Sequence, residues 1–203
     1  MTTSRQVFLA TALLLITLVA YAQDPQSSDA VPPGTVPLSS LITTVAQKTG
    51  KKFVLDPRVR AGVTLIGEDP SRVTYDELLT ILTTYGYLAV QTGGYVLVVP
   101  DADARMEPLP LLTDGEKLPD DEYVTAVLHV KSLFAGWFVP ILRPLLPQQG
   151  HLAALPCTND LVIVDRFTNV RRIESIVKAM DTGAPLKPQA CPLPFSRQSA
   201  DRG

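Results

Sequence analysis

Residues 139–165, VPILRPLLPQQGHLAALPCTNDLVIVD, hold the junction on which the fold turns. Pro140 sits inside an apolar helical pattern. An internal proline loses one hydrogen bond and crowds the preceding turn at a cost of ~3 kcal/mol, so a kinked but continuous helix is expected. His151–Leu155 and residues 161–164 then read as strands joined by the polar turn Thr158-Asn159-Asp160. Upstream, residues 123–130 alternate, with Val124, Ala126, Leu128 and Val130 on one face and Tyr123, Thr125, Val127 and His129 on the other. Ser132 is expected to cap the helix between. Leu133, Trp137, Ile141 and Leu145 lie four apart beside Phe134, Phe138 and Leu142, giving a broad apolar face. Downstream, Thr168 opens a last helix with Val170, Ile173, Ile176, Val177 and Met180 inward, and Gly183 ends it. The order is strand, helix, strand, strand, helix.

A second apolar block precedes this one. Leu38, Leu41, Ile42, Val45 and Ala46 recur at helical spacing, with Pro37 in the first turn and Gly50 at the end. Residues 53–55 form a strand that bends at Asp56-Pro57, because a residue before proline is pushed toward extended geometry. Residues 63–66 read as another strand. Thr74 and Glu77 make a capping-box pair for a helix carrying Leu78, Leu79, Leu82 and Tyr85, closed by Gly86. Residues 87–90 and 95–99 flank Gly93-Gly94 as a hairpin.

Both blocks resemble one family. Val139-Pro140-Ile141-Leu142-Arg143-Pro144-Leu145, followed by Gly150-His151-Leu152-Ala153-Ala154 and an asparagine-containing turn, is similar to the N1 domain of bacterial secretins, the outer-membrane channels of type II secretion systems and type IV pili. Phe53 to Thr64, with Asp56-Pro57 and Gly62-Val63-Thr64, resembles the secretin N0 domain, whose fold also opens the signalling extension of TonB-dependent receptors. The resemblance implies an α+β protein of two small domains, an N0-like mixed domain over 36–100 and a KH-like N1 domain over 121–183, joined by a linker at 101–120. One departure stands out: where the family has an alternating first strand, this chain has Asp29-Ala30-Val31-Pro32-Pro33, and adjacent prolines cannot donate ladder hydrogen bonds. The family continues into a β-rich barrel, while this sequence ends about twenty residues beyond the N1-like segment, so no channel is expected.

The ends of the chain carry their own signals. Arg5, the apolar run 7–19 and the small residues Ala20 and Ala22 describe an export signal over 1–22, cleaved before Gln23. The apolar run is shorter than the ~20 residues a membrane-spanning helix needs. Residues 184–203 carry four prolines and no apolar period, and are expected to be a disordered tail. The formal net charge is −2, and the short basic clusters Lys51-Lys52, Arg58 with Arg60, and Arg171-Arg172 read as solvated faces. Nucleic acid and anionic membrane are unfavoured partners, because such binders gather positive charge. The N1-like block also lacks the Gly-x-x-Gly clamp of RNA-binding KH domains.

No residues assemble a catalytic, cofactor or metal site. His129 and His151 have no second ligand at metal spacing, and Asp76-Glu77 and Asp120-Asp121-Glu122 fall in a helix first turn and the linker. Cys157 and Cys191 are candidates for a disulfide in an oxidising compartment, with two independent thiols as the alternative. The expected function is therefore a non-enzymatic periplasmic accessory of a type II secretion system. It would dock on a secretin or on the inner-membrane platform, with ring or homo-oligomer contacts through the N1-like domain, and strand pairing is the expected contact mode. A ligand- or signal-receiving module like that of TonB-dependent receptors is the second reading.

Overall fold

A computed structural model describes residues 35–187, which form two α+β lobes. The first contains β1 (Val36–Pro37), α1 (Leu38–Thr49), β2 (Lys52–Leu55), β3 (Gly62–Val63), α2 (Tyr75–Thr84), β4 (Tyr87–Thr92) and β5 (Tyr95–Pro100). The second contains β6 (Tyr123–His129), α3 (Ala135–Leu142), β7 (His151–Leu155), β8 (Asp160–Arg166) and α4 (Phe167–Met180). Short 3-10 helices lie at Asp101–Met106 and Arg143–Leu145.

In the first lobe, β5 is the centre of a three-stranded sheet, parallel to β2 and antiparallel to β4. The β4–β5 turn uses Gly93 and Gly94 at φ +54° and +81°, left-handed values that a side chain would resist. Helices α1 and α2 bury Leu38, Leu41, Ile42, Val45, Leu78, Leu79 and Leu82 against Val96 and Val98. Gly50 ends α1 in the left-handed conformation. The Thr74–Glu77 capping box is present in both directions: Glu77 N–H donates to Thr74 Oγ1 at 3.3 Å, and Thr74 N–H to Glu77 Oε2 at 2.7 Å. The strand expected over 63–66 is shorter. Only Gly62 and Val63 pair, because β1 offers two residues, and Ile66 is 92% exposed.

In the second lobe β8 is the central strand, antiparallel to both β6 and β7. Its residues alternate without a break between buried and half-buried, which places Leu161, Ile163 and Asp165 on the helix-covered face. Phe138 and Leu142 of α3 and Val170, Ile173 and Val177 of α4 fill that face with Val124 and Ala126. Helix α3 continues through Pro140 to Leu142, and the Arg143 guanidinium then donates to the Pro147 and Gln148 carbonyls, each at 3.2 Å. Two expectations are corrected. Ser132 does not cap α3, which begins three residues later, and the four-apart row is not the buried one: Trp137 and Ile141 are 64% and 53% exposed. Met180 is likewise exposed at the end of α4.

Candidate protein-interaction surfaces

The chain between the lobes is itself structured. Ala104 and Tyr123 are buried with Leu88 and Val90 in a small apolar cluster, which Leu97, Val99 and Leu109 flank. Polar contacts surround it. Asp121 accepts from Thr80 Oγ1 at 2.8 Å and from Arg166 Nη1 at 3.1 Å, and Gln149 donates to Asp101. Glu122 is 5% exposed and accepts from Gln91 Nε2 at 2.9 Å. Burial pushes the Glu122 carboxyl above the usual range, and the Gln91 bond opposes that shift only in part. The main chain adds Phe167 N–H to Glu122 O at 2.7 Å and Thr168 N–H to Asp120 O at 2.9 Å. Carboxylates that the sequence places in a linker are thus the pins of a joint.

The start of α3 is held from a distance. Asn159, at φ +58° in the β7–β8 turn, accepts from Ala135 N–H at 2.8 Å and donates to the carbonyls of Val130 and Leu133 at 2.5 and 2.8 Å. Asparagine suits both tasks, since it tolerates the left-handed region and carries a donor and an acceptor on one short side chain. Asp181, just past α4, accepts from Lys131 N–H, Ser132 N–H, Ser132 Oγ and Leu133 N–H at 2.6, 2.6, 2.5 and 3.2 Å. Burial pushes its carboxyl up, but the Ser132 hydroxyl and the three backbone donors outweigh this and hold it at about 2. Ser132 is occupied by Asp181 and so is not free to cap a helix.

Two kinds of surface remain open to partners. Among the described residues, strand β2 ends the first sheet on one side and β7 ends the second, each without a strand partner on its outer side. The other side of the second sheet is partly covered. Leu111 bridges Thr125 in parallel, with Thr125 N–H donating to Pro110 O at 2.9 Å and Leu112 N–H to Thr125 O at 2.7 Å. The second kind of surface is apolar: Trp137 and Ile141 stand one turn apart on the outside of α3, with the Phe134 ring edge-on to Trp137 at 6.4 Å.

His129 ends β6 with Nδ1 at 2.9 Å from Asp160 Oδ1, and His151 begins β7, exposed. Cys157 is exposed in the β7–β8 turn. Ala20, Ala22, Gln23, Pro32, Pro33 and Cys191 lie outside the described residues. Arg58 donates to Asp56 and Asp103 at 2.9 and 2.6 Å, so it is an ion-paired brace rather than part of a free basic face. Among the described residues no group of three His, Cys, Asp or Glu side chains is placed to hold a metal, and no helix is long and apolar enough to cross a membrane. Sequence reasoning missed Asn159 and Asp181. A polar residue at a left-handed turn position was the one available hint for the first, and nothing local marked the second.

Residues 35–99 match the family described as GspD-like, N0 domain, and the mixed lobe followed by a βαββα lobe is similar to the N-terminal part of secretins. The chain is 33% identical over 146 residues to Secretin XcpQ of Pseudomonas aeruginosa, covering 71% of this chain and 21% of that protein. It is 28% identical over 162 residues to Secretin GspD 2 of Escherichia coli O78:H11, covering 77% of this chain and 24% of that one. Among solved structures it is similar to a chain of the Klebsiella pneumoniae type II secretion system outer membrane complex of PulD, PulS and the PulC HR domain. That likeness has a TM-score of 0.64 at 25% identity, over 73% of this chain and 26% of the other. The chain therefore spans about a fifth to a quarter of the length of the curated relatives it matches.

Proposed function

We propose that this protein is a non-catalytic accessory of a type II secretion apparatus, exported to the periplasm with cleavage after Ala22, where it docks on a secretin or on the inner-membrane platform beneath it. The observation that carries the reading is the likeness of the chain, over 73% of its length, to a chain of the Klebsiella type II secretion system outer membrane complex of PulD, PulS and the PulC HR domain. The open edges at β2 and β7 supply a means: an added strand satisfies backbone groups that water otherwise holds, and side chains on alternate positions select the partner. Homotypic contacts through the second lobe would use the same rules.

The test is capture from a periplasmic extract after cross-linking through an exported, tagged full-length chain, with binding of purified secretin N-terminal domains and platform protein measured separately. Saturable binding to either supports the reading. Failure to bind any component of the type II system in the same cell overturns it. N-terminal sequencing of the exported protein should begin at Gln23, and an intact Met1 would overturn the cleavage.

A further inference from the structure

Strand β2 runs through Lys52-Phe53-Val54-Leu55 into Asp56. It lies parallel to β5, with Lys52 beside Tyr95 and Val54 beside Leu97, and among the described residues no strand lies beyond it. Asp56 N–H donates to the Val98 carbonyl at 2.9 Å, so the backbone of Asp56 faces β5. Backbone groups alternate along a strand, so Lys52 and Val54 face β5 as well, and the N–H and C=O of Phe53 and Leu55 point outward. The side chains follow the other alternation. Phe53 and Leu55 are half-buried against the core, while Lys52 and Val54 are exposed, Val54 at 47%. These two patterns match a second copy of the same strand. Laid antiparallel with Val54 opposite Val54, the outward groups of Phe53 exchange both hydrogen bonds with those of Leu55, and Val54 takes the non-hydrogen-bonded place where side chains come closest. At the ends, Lys52 stands opposite Asp56. A shift of two residues one way sets Phe53 against Pro57, which has no N–H, and the other way sets Lys52 against Val54 and loses the charge pairs. A shift of one residue brings outward groups against groups already turned to β5.

We propose that β2 is a self-recognition edge, and that two copies of the protein join through it in this register into one continuous sheet. Asp56 already accepts from the backbone N–H and the guanidinium of Arg58, and a carboxylate has room for a further donor. The Lys52 ammonium stands over the Tyr95 ring at 5.9 Å, on the exposed face of the sheet, and its flexible stem lets it reach across the new strand pair. The contact falls short of the ~1,200 Å² that a stable specific interface buries, so the pair is reversible, with a Kd of about 100 µM. A partner strand arriving at β2 would have to displace the second copy. The proposal needs no component of a secretion system, so its failure leaves the docking reading untouched.

The test is sedimentation of the full chain from about 10 µM to about 1 mM, a range that brackets the expected Kd, together with amide hydrogen exchange. A monomer–dimer equilibrium is expected, and mass action then slows exchange at the Phe53 and Leu55 amides about fourfold between the two ends of the range. Val54→Lys sets like charges opposite each other at an exposed position. It should abolish the dimer while leaving the circular dichroism and unfolding midpoint of the monomer unchanged. Lys52→Glu, which sets a carboxylate against Asp56, should weaken the dimer about tenfold at low salt and less at high salt. Val54→Cys should give, on mild oxidation, a link that peptide mapping places between position 54 of two chains, because opposed residues at such a place lie about 4.5 Å apart, within disulfide reach. A monomer throughout the range, a dimer that Val54→Lys leaves intact, or Phe53 and Leu55 amides equally protected at every concentration, as an edge covered by another part of the chain would be, would each overturn the proposal.

Discussion

Helix α2 and helix α3 begin in opposite ways. The start of α2 is written in its own neighbourhood, where Thr74 and Glu77 satisfy each other's backbone donors across three residues. The start of α3 has no side-chain cap of its own and is held by Asn159, 24 residues away, and by Asp181, about 50 residues away. A locally capped helix can form its first turn before the rest of the lobe assembles, whereas α3 gains its anchor only when the β7–β8 turn and α4 have docked. The second lobe should therefore be the more cooperative of the two, and single polar residues should matter more in it.

Asn159→Ala should break the comparison most severely. It removes three hydrogen bonds and puts a side chain with no compensating contacts at positive φ, for a loss of about 3 kcal/mol measured by urea unfolding. Asn159→Gly sharpens the point, since it restores the backbone but not the bonds and should recover about 1 kcal/mol. An alanine variant as stable as the parent would mean that α3 is anchored locally after all. Asp181→Ala comes next, at about 2 kcal/mol, because Lys131, Ser132 and Leu133 lose a charged acceptor together.

The Asp181 effect carries a pH signature. Its carboxyl is lowered from 3.8 to about 2, so the stabilisation is fully present above about 4 and disappears as pH falls through about 2. Acid titration of parent and Asp181→Ala should converge in that window, and parallel curves would contradict the assignment. Thr74→Ala should cost less, about 1 kcal/mol, with faster hydrogen exchange confined to the first lobe. Glu122→Gln is the smallest and has the opposite sign. Burial raises the Glu122 carboxyl, so its ionisation weakens the joint as pH rises past the folded value, and the neutral amide should be slightly more stable at pH 8. A variant that is instead less stable at pH 8 would show that the ionised carboxylate supports the joint.

Much of the fold was legible because its signals are periodic or local. The stripes of α1 and α2, the Gly93-Gly94 hairpin and the alternation of β6 each depend on residues within a few positions of one another. Helix α3 was misoriented for a physical reason: Ala135 to Leu142 contains no charged, hydroxyl or amide side chain, so periodicity identifies a helix but gives little sign of which face is wet. Packing decided it, with Phe138 and Leu142 inward and Trp137 and Ile141 outward. The joint was illegible because Asp121 and Glu122 acquire Thr80, Arg166 and Gln91 only when two lobes meet. Of the interaction surfaces, strand edges could be foreseen in general, but the contact that covers one of them lies in Pro110 to Leu112, which has no strand signature of its own.

That contact limits how copies of the second lobe can join by strand pairing. A sheet open on both sides accepts a neighbour on each, and repetition then yields a filament of unlimited length. With Leu111 lying along β6, β7 is the side of this sheet that has no strand beyond it among the described residues. Pairing β7 with β7 of another copy is related by a two-fold axis and uses up the open side of both, so growth stops at the dimer. By the same pairing rules, a sheet lacking the 110–112 contact would offer a second side on which such pairing could propagate.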